Sequence, residues 1–390
     1  MSVLPASGVI SFARGIPAPE MFPSHELAEA ATLAFRRHSA TALNYGPPGG
    51  FGPLREWLGD QHSAAPGRVV ITPGSFLLLV LLARVLLQPP APVLVEVPSY
   101  DRVNNLLRQS GARVVPIRRG RDGLDFEALE RYLLSGERPA FFYVMPTFHN
   151  PTGTTLSTAA RERLADLAVG HDLLLIEDDP YGLLRFDGTA PPSLRSLLEA
   201  RGAGRLSVFT SSFSKVIAPG LRVGYGVLPD DLAPLVAAAA LDTYVSPPLW
   251  PQAEVYEFLA AGSLPPQLTR IRQLLRLRRD ALVERLAEGL HGCAADWWVP
   301  DGGYFLWLEL PPRISAAALL ADCERAGVTF VPGSGFFADG SGDGGDGGGN
   351  SGGDHSARLS FSFPSVADIR VGADRLVATA RRQLVTHGAA

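Results

Sequence analysis

The sequence predicts an α/β protein: a mostly parallel, seven-stranded sheet followed by a smaller α+β unit. Three observations carry this. Short apolar runs rich in β-branched residues recur between Val69 and Leu228, separated by helix-length segments. These runs are apolar throughout rather than alternating, the pattern of strands covered on both faces. A length of 390 residues then leaves room for one large domain and a smaller one.

In chain order, residues from about Ser24 to His38 read as a helix, with Ser24 as N-cap and Glu26 in the first turn. The strand candidates are Val69–Thr72, Val93–Val97, Val114–Ile117, Phe141–Met145, Leu173–Glu177, Leu206–Thr210 and Val223–Leu228. Between the first two, Phe76 to Leu87 is the greasiest stretch and Arg84 interrupts it. It is too short to span a bilayer and reads as a buried helix. An arginine-rich helix is expected over Pro266–Leu290, then strands at Tyr304–Leu310 and Arg358–Phe363. Between these lies DGSGDGGDGGGNSGGD, residues 339–354, whose composition cannot bury a core and reads as a flexible surface loop.

Composition narrows the function. Hydrophobic residues make up 46% and charged residues 19%, as in a folded globular chain. The net charge of −4, without a basic block, argues against nucleic acid as a partner. Cys293 and Cys323 have no metal-like spacing and read as reduced thiols of a cytoplasmic protein, with no metal site expected. The N-terminus lacks a secretory pattern, and no membrane span is expected. Lysine and arginine together number 35, yet Lys215 is the single lysine. Codon bias explains a general replacement of lysine by arginine. A guanidinium, however, stays protonated and cannot do amine chemistry, so the surviving lysine is a candidate nucleophile.

Four stretches extend that reading. Lys215 follows a strand within TSSFSKVIAPGLR, and Arg222, seven residues on, suits bidentate phosphate binding. Gly74, Ser75 and Phe76 join a strand to a helix, where free N–H groups attract an anion, although a glycine before a helix is commonplace. In IEDDPYG, Asp178 and Asp179 together end a buried strand, and Tyr181 follows. Either acid can hold a heteroaromatic nitrogen protonated or can simply be a solvated loop residue. Asn150, in HNPTG, can donate to a phenolate or merely open a turn.

Taken in order, the strand–Gly-Ser–helix step, EVPSY, NPTG, DDPY and SFSK with its downstream arginine resemble the fold type I, pyridoxal-phosphate-dependent aminotransferases of class I/II. Within these the chain is most similar to the 2-aminoadipate subgroup and to the aminotransferase-like domain of MocR-type regulators, from SFARGIPAPEMFP to RLSFSF. The resemblance implies an aspartate-aminotransferase-like architecture. Residues 1–45 would contribute to the small domain and to dimer contacts, 46–262 would form the large cofactor domain, and 263–390 the small domain.

It also implies roles. Lys215 would form the aldimine with pyridoxal 5'-phosphate and later shuttle a proton. Asp178 would pair with the pyridine nitrogen. Tyr181 and Asn150 would bond the phenolic oxygen, and Tyr100 would stack on the ring. Ser212, Arg222 and the backbone of Gly74, Ser75 and Phe76 would hold the phosphate, with Tyr45 reaching it from the partner of a homodimer. Arg358 would grip the substrate α-carboxylate. The reaction implied moves an amino group between an L-amino acid and a 2-oxo acid. Decarboxylation, elimination or oxidation on the same cofactor is the alternative. A cofactor-sensing regulator would need a DNA-binding module ahead of the resemblance, which begins near Ile10.

Three departures stand out. Phe76 replaces a frequent glutamine. Arg14 replaces a small residue in a segment that often borders the substrate side chain, and either enters the pocket or is a surface charge. The Gly/Asp-rich stretch lies just before Arg358.

Overall fold

The computed structural model describes residues 8–121, 123–337 and 353–388. The stretch 339–354 therefore lies outside the described residues except for Gly353 and Asp354.

Seven strands build the main sheet: β1 (Val69–Thr72), β2 (Pro92–Val97), β3 (Arg113–Gly120), β4 (Phe142–Val144), β5 (Leu175–Asp178), β6 (Ser207–Ser212) and β7 (Gly224–Val227). Their order across the sheet is β1-β7-β6-β5-β4-β2-β3. All seven expected runs are present, and a two-residue strand, Gly123–Leu124, adds an eighth by folding back on β3. Pairing is parallel from β3 through β2, β4 and β5 to β6. β7 runs antiparallel to both β6 and β1.

The apolar runs are buried on both sides, as their lack of alternation requires. On one face Val93, Val95, Tyr143, Ile176 and Val208 pack with Leu78, Leu81 and Leu82 of the helix Ser75–Leu86. On the other, Leu94, Phe142, Val144 and Leu175 pack with Leu164, Ala165 and Leu198. This double burial fixes where the strands end, and the strand ends carry the candidate residues.

A second, antiparallel sheet has the order Asp296–Trp297, Phe305–Glu309, Ser356–Ser360, Val331–Pro332. Its two central strands are the expected ones, and the short outer pair was not expected. The predicted arginine-rich helix spans Leu264–Leu290. Near the N-terminus, Ile10–Ser11 pairs with Val328–Thr329, and the Ser360 N–H donates to the Phe12 carbonyl. One correction concerns the first long helix, Ser24–Ala42. Ser24 is its first helical residue and not its cap, because Pro23 holds the cap position and makes no side-chain capping bond.

Candidate active site

The candidate residues gather at the C-terminal ends of the parallel strands, where open α/β sheets place their ligands. Asp178 is the last residue of β5, and Lys215 closes a 3-10 turn that begins as β6 ends. The Ser212 hydroxyl accepts from the Ser214 N–H and lies 3.1 Å from the Val223 carbonyl, so it fastens this turn to the next strand.

Beyond β1 the chain turns through Gly74 and enters the helix Ser75–Leu86. Gly74 has φ +89°, and a Cβ there would run into the Arg222 guanidinium. Only glycine meets both demands. Arg222 donates to the Pro73 carbonyl at 3.0 Å, which places its charge beside the helix start.

The Lys215 amine donates to the Gly15 carbonyl at 2.8 Å and sits 5.8 Å and 5.7 Å from the ring centres of Tyr181 and Tyr304. Burial, reinforced by Arg358 and Arg222, lowers its pKa to about 8, against the pull of Asp178. An amine so placed is more often neutral than a surface lysine. Gly15 is flush with Phe305, whose ring a Cβ would meet at 2.7 Å.

Asp178 is 5% exposed. Its Oδ2 accepts from the Tyr143 hydroxyl at 2.6 Å, while Oδ1 is buried without a partner. Burial raises its pKa to about 7, opposed by the Tyr143 bond and Lys215 and aided by Asp179. Burial also raises Glu177 to about 7 and Asp179 to about 6. Glu177 is stabilised by the N–H groups of Leu194 and Arg195. Asp179 accepts from the Gly182 N–H at 2.7 Å and so pins the turn that carries Tyr181.

Arg358 is 8% exposed and stands over the rings of Phe305 and Phe336, at 4.4 Å and 4.9 Å. It donates to Asn150 Oδ1 at 2.8 Å and to the Ala13 carbonyl at 2.9 Å, leaving Nε buried and unpartnered. The loop holding Asn150 is anchored by a buried ion pair, Arg119 to Glu96 at 2.5 Å. Arg119 also donates to the carbonyls of Met145 and Thr154, at the two ends of that loop.

Lys215, Asp178, Tyr181, Asn150 and Arg358 thus share one buried region, and Tyr100 is near enough for the charges of Asp178 and Arg358 to act on its hydroxyl. Half-buried Phe76 packs with Tyr100 against the same apolar cluster. Arg14 lies one residue from the Gly15 carbonyl, with its guanidinium 5.0 Å over the Phe363 ring and Nη1 buried without a partner. Tyr45 does not join the group, being 83% exposed.

Sequence reasoning missed four participants: Tyr143, Tyr304 and the carbonyls of Ala13 and Gly15. The Tyr304 hydroxyl donates to the Lys215 carbonyl at 3.0 Å. A signal existed for Tyr143, the one polar side chain in the run Phe141–Met145. Backbone carbonyls leave none.

Residues 8–350 match the family model for aminotransferase class I and II. The chain is 40% identical to the 2-aminoadipate transaminase of Thermus thermophilus over 86% of its length and 84% of that protein. It is 30% identical to aromatic-amino-acid aminotransferase 1 of Thermococcus litoralis, over 98% of this chain and 91% of that one. Among solved structures, the alpha-aminoadipate aminotransferase of Thermus thermophilus, complexed with N-(5'-phosphopyridoxyl)-L-leucine, superposes with a TM-score of 0.89. The identity there is 35%, covering 97% of this chain and 94% of that one.

Proposed function

The chain belongs to the class I and II aminotransferases, and on that footing we propose that Lys215 is the amine to which its cofactor is joined. The enzyme is a transaminase of fold type I with pyridoxal 5'-phosphate as its cofactor, and it exchanges an amino group between an amino acid and a 2-oxo acid. When bound, the cofactor supplies a carbonyl carbon for the amine and a cationic ring that withdraws electrons from the substrate Cα.

One observation carries the residue assignment: Asp178 Oδ1 is a buried acceptor without a donor, on a carboxylate oriented by Tyr143. A protonated pyridine nitrogen is the donor that such an oxygen lacks, and an ionised carboxylate keeps that nitrogen protonated. The phosphate fits the N–H groups at the start of Ser75–Leu86, with Arg222 beside them and Gly74 leaving the backbone bare. Ser212 adds a hydroxyl, Tyr100 a flat face for the ring, and Asn150 and Tyr181 donors for its phenolic oxygen.

Arg358 then pairs with the substrate α-carboxylate and holds Cα near Lys215. Lys215, neutral above a pKa of about 8, would take the proton released at the substrate Cα and hold it on Nζ until it is handed back. Tyr45, exposed on a single chain, serves the phosphate of a partner subunit, so the working unit is a homodimer. Residues 46–262 form the cofactor half and 263–390 the substrate-clamping half. The placement is cytoplasmic, in keeping with two free cysteines. Among the described residues no helix is long and apolar enough to cross a membrane.

The test is a half-reaction screen. Single amino acids are added to the cofactor-loaded enzyme and loss of its visible absorbance is followed, with Lys215→Ala beside it. Bleaching by Lys215→Ala at the wild-type rate overturns the assignment.

A further inference from the structure

A second cavity, of about 240 Å³, lies between the end of β3 and the second sheet. None of Lys215, Asp178, Asn150 or Arg358 lines it. Its body is aromatic, with walls formed by Trp297, Trp298 and Trp307, the last only 7% exposed and in edge contact with Phe336 at 5.9 Å. Trp298 is 40% exposed, so its ring face is open to a molecule entering the cavity.

The tryptophan pair is already held in place. Arg121 forms an ion pair with Asp296 at 2.7 Å, donates to the Trp297 carbonyl at 2.9 Å and stands 5.9 Å over the Trp298 ring. These bonds use up the Arg121 and Asp296 charges. Arg119, also in the wall, is spent on Glu96. Two charges of opposite sign remain at the rim, Arg118 on β3 and Glu309 on the facing strand. Neither makes an ion pair with the other or with any described residue.

A ligand that fits this arrangement has a flat apolar body, one anionic and one cationic group, and few atoms. The volume lies below the roughly 300–1,000 Å³ usual for drug-sized sites, so the ligand is a small metabolite. We propose that this cavity is a second binding site for the zwitterion of an aromatic amino acid, distinct from the transamination centre. The carboxylate faces Arg118, the ammonium faces Glu309, and the ring lies among the three tryptophans, where offset stacking and edge-to-face contact favour it. The cavity also adjoins the active-site walls. Trp307 is the cross-strand partner of Arg358, and Thr152 and Thr154 flank it on the Asn150 loop.

The experiment is calorimetric titration of L-phenylalanine into cofactor-loaded Arg358→Ala enzyme, whose active site has lost its carboxylate anchor. One saturable site per chain is expected. In the same background, Arg118→Ala or Glu309→Gln weakens binding roughly threefold to tenfold, and Trp298→Ala by about tenfold or more. Both charged residues are exposed, so these variants fold, which circular dichroism verifies. In otherwise wild-type enzyme, Arg118→Ala leaves the half-reaction rate unchanged. Absence of saturable binding in Arg358→Ala overturns the proposal, as does binding that ignores all three substitutions.

Discussion

The hydroxyl of Tyr143 donates to Asp178 Oδ2 at 2.6 Å, and this leaves Oδ1 as the acceptor aimed at an incoming donor. The bond does two things. It fixes the carboxylate plane, and it stabilises the ionised form against burial. Tyr143→Phe removes both effects at almost no cost in volume. The Asp178 pKa then rises, so the acid limb of the kcat/KM profile moves to higher pH. The rate near neutral pH falls roughly tenfold or more, the worth of one bond to a charged group. An acid limb that stays in place would rule out this positioning role.

Asp178 also sets the stability of the cofactor-free protein. Its pKa is raised to about 7 by burial, whereas an unfolded aspartate titrates near 4. Between those values the native chain binds a proton that the unfolded chain lacks. Stability therefore falls as pH rises through this window and stays lower above it. Asp178→Asn removes the buried charge. The cofactor-free variant is expected to melt higher than wild type at pH 8, by roughly 1 °C for each kcal/mol recovered, while holding the cofactor far more weakly. A lower Tm for that variant at pH 8 would contradict the argument.

Lys215→Arg separates charge from nucleophilicity. The variant keeps a cation in the pocket, but guanidinium does not deprotonate at any working pH. Turnover should drop to background, and borohydride should no longer trap cofactor on the peptide containing residue 215. Because Lys215 is the single lysine, mass mapping of the trapped wild-type enzyme has one side-chain amine to find. Attachment mapped anywhere else refutes the role.

Much of this site was legible because its parts are strand ends. Runs apolar on both faces stop where polar side chains take over, and Asp178, Lys215 and Gly74 each stand at or just past such a stop. The lone lysine sharpened the reading further. Three features escaped for physical reasons. β7 is as apolar as its neighbours, and nothing in Val223–Leu228 announces that it runs antiparallel. The carbonyls of Ala13 and Gly15 reach Arg358 and Lys215 across 345 and 200 positions of sequence, and a main-chain acceptor has no residue-type signature. Pro23, not Ser24, holds the cap because the Leu27 N–H bonds back to the Pro23 carbonyl, so the main chain starts the helix one residue before the side chain suited to cap it.

Arg358 binds Asn150 and Ala13 through its two terminal nitrogens and is clamped between two phenylalanines. That arrangement needs a planar fork. Arg358→Lys keeps the charge but loses the paired geometry and the stacking. KM for amino-acid substrates is expected to rise and kcat/KM to fall by about 2–5 kcal/mol equivalent, the usual cost of breaking a desolvated pair. Cofactor absorbance should remain, since Arg358 makes no bond to Lys215 or Asp178. Loss of cofactor in this variant would move Arg358 out of substrate binding.

Arg14 is the residue through which side-chain preference is best tested. Its neighbour Gly15 accepts from Lys215, Ala13 accepts from Arg358, and its own Nη1 is buried without a partner. A buried guanidinium nitrogen with no acceptor is costly unless an anion arrives. A distal carboxylate, as in glutamate or 2-aminoadipate, is such an anion. The competing account is that stacking on Phe363 at 5.0 Å is the whole role of Arg14. The two accounts differ in what Arg14→Gly does. If Arg14 pairs with substrate, kcat/KM for acidic amino acids falls by roughly 2 kcal/mol or more while that for phenylalanine is spared, so the ranking changes. If it only stacks on Phe363, all substrates lose alike through a loosened segment 13–15, and the ranking stands. Measured kcat/KM for acidic, aromatic and basic amino acids in both enzymes therefore decides whether Arg14 selects the substrate, and an unchanged order removes it from the pocket.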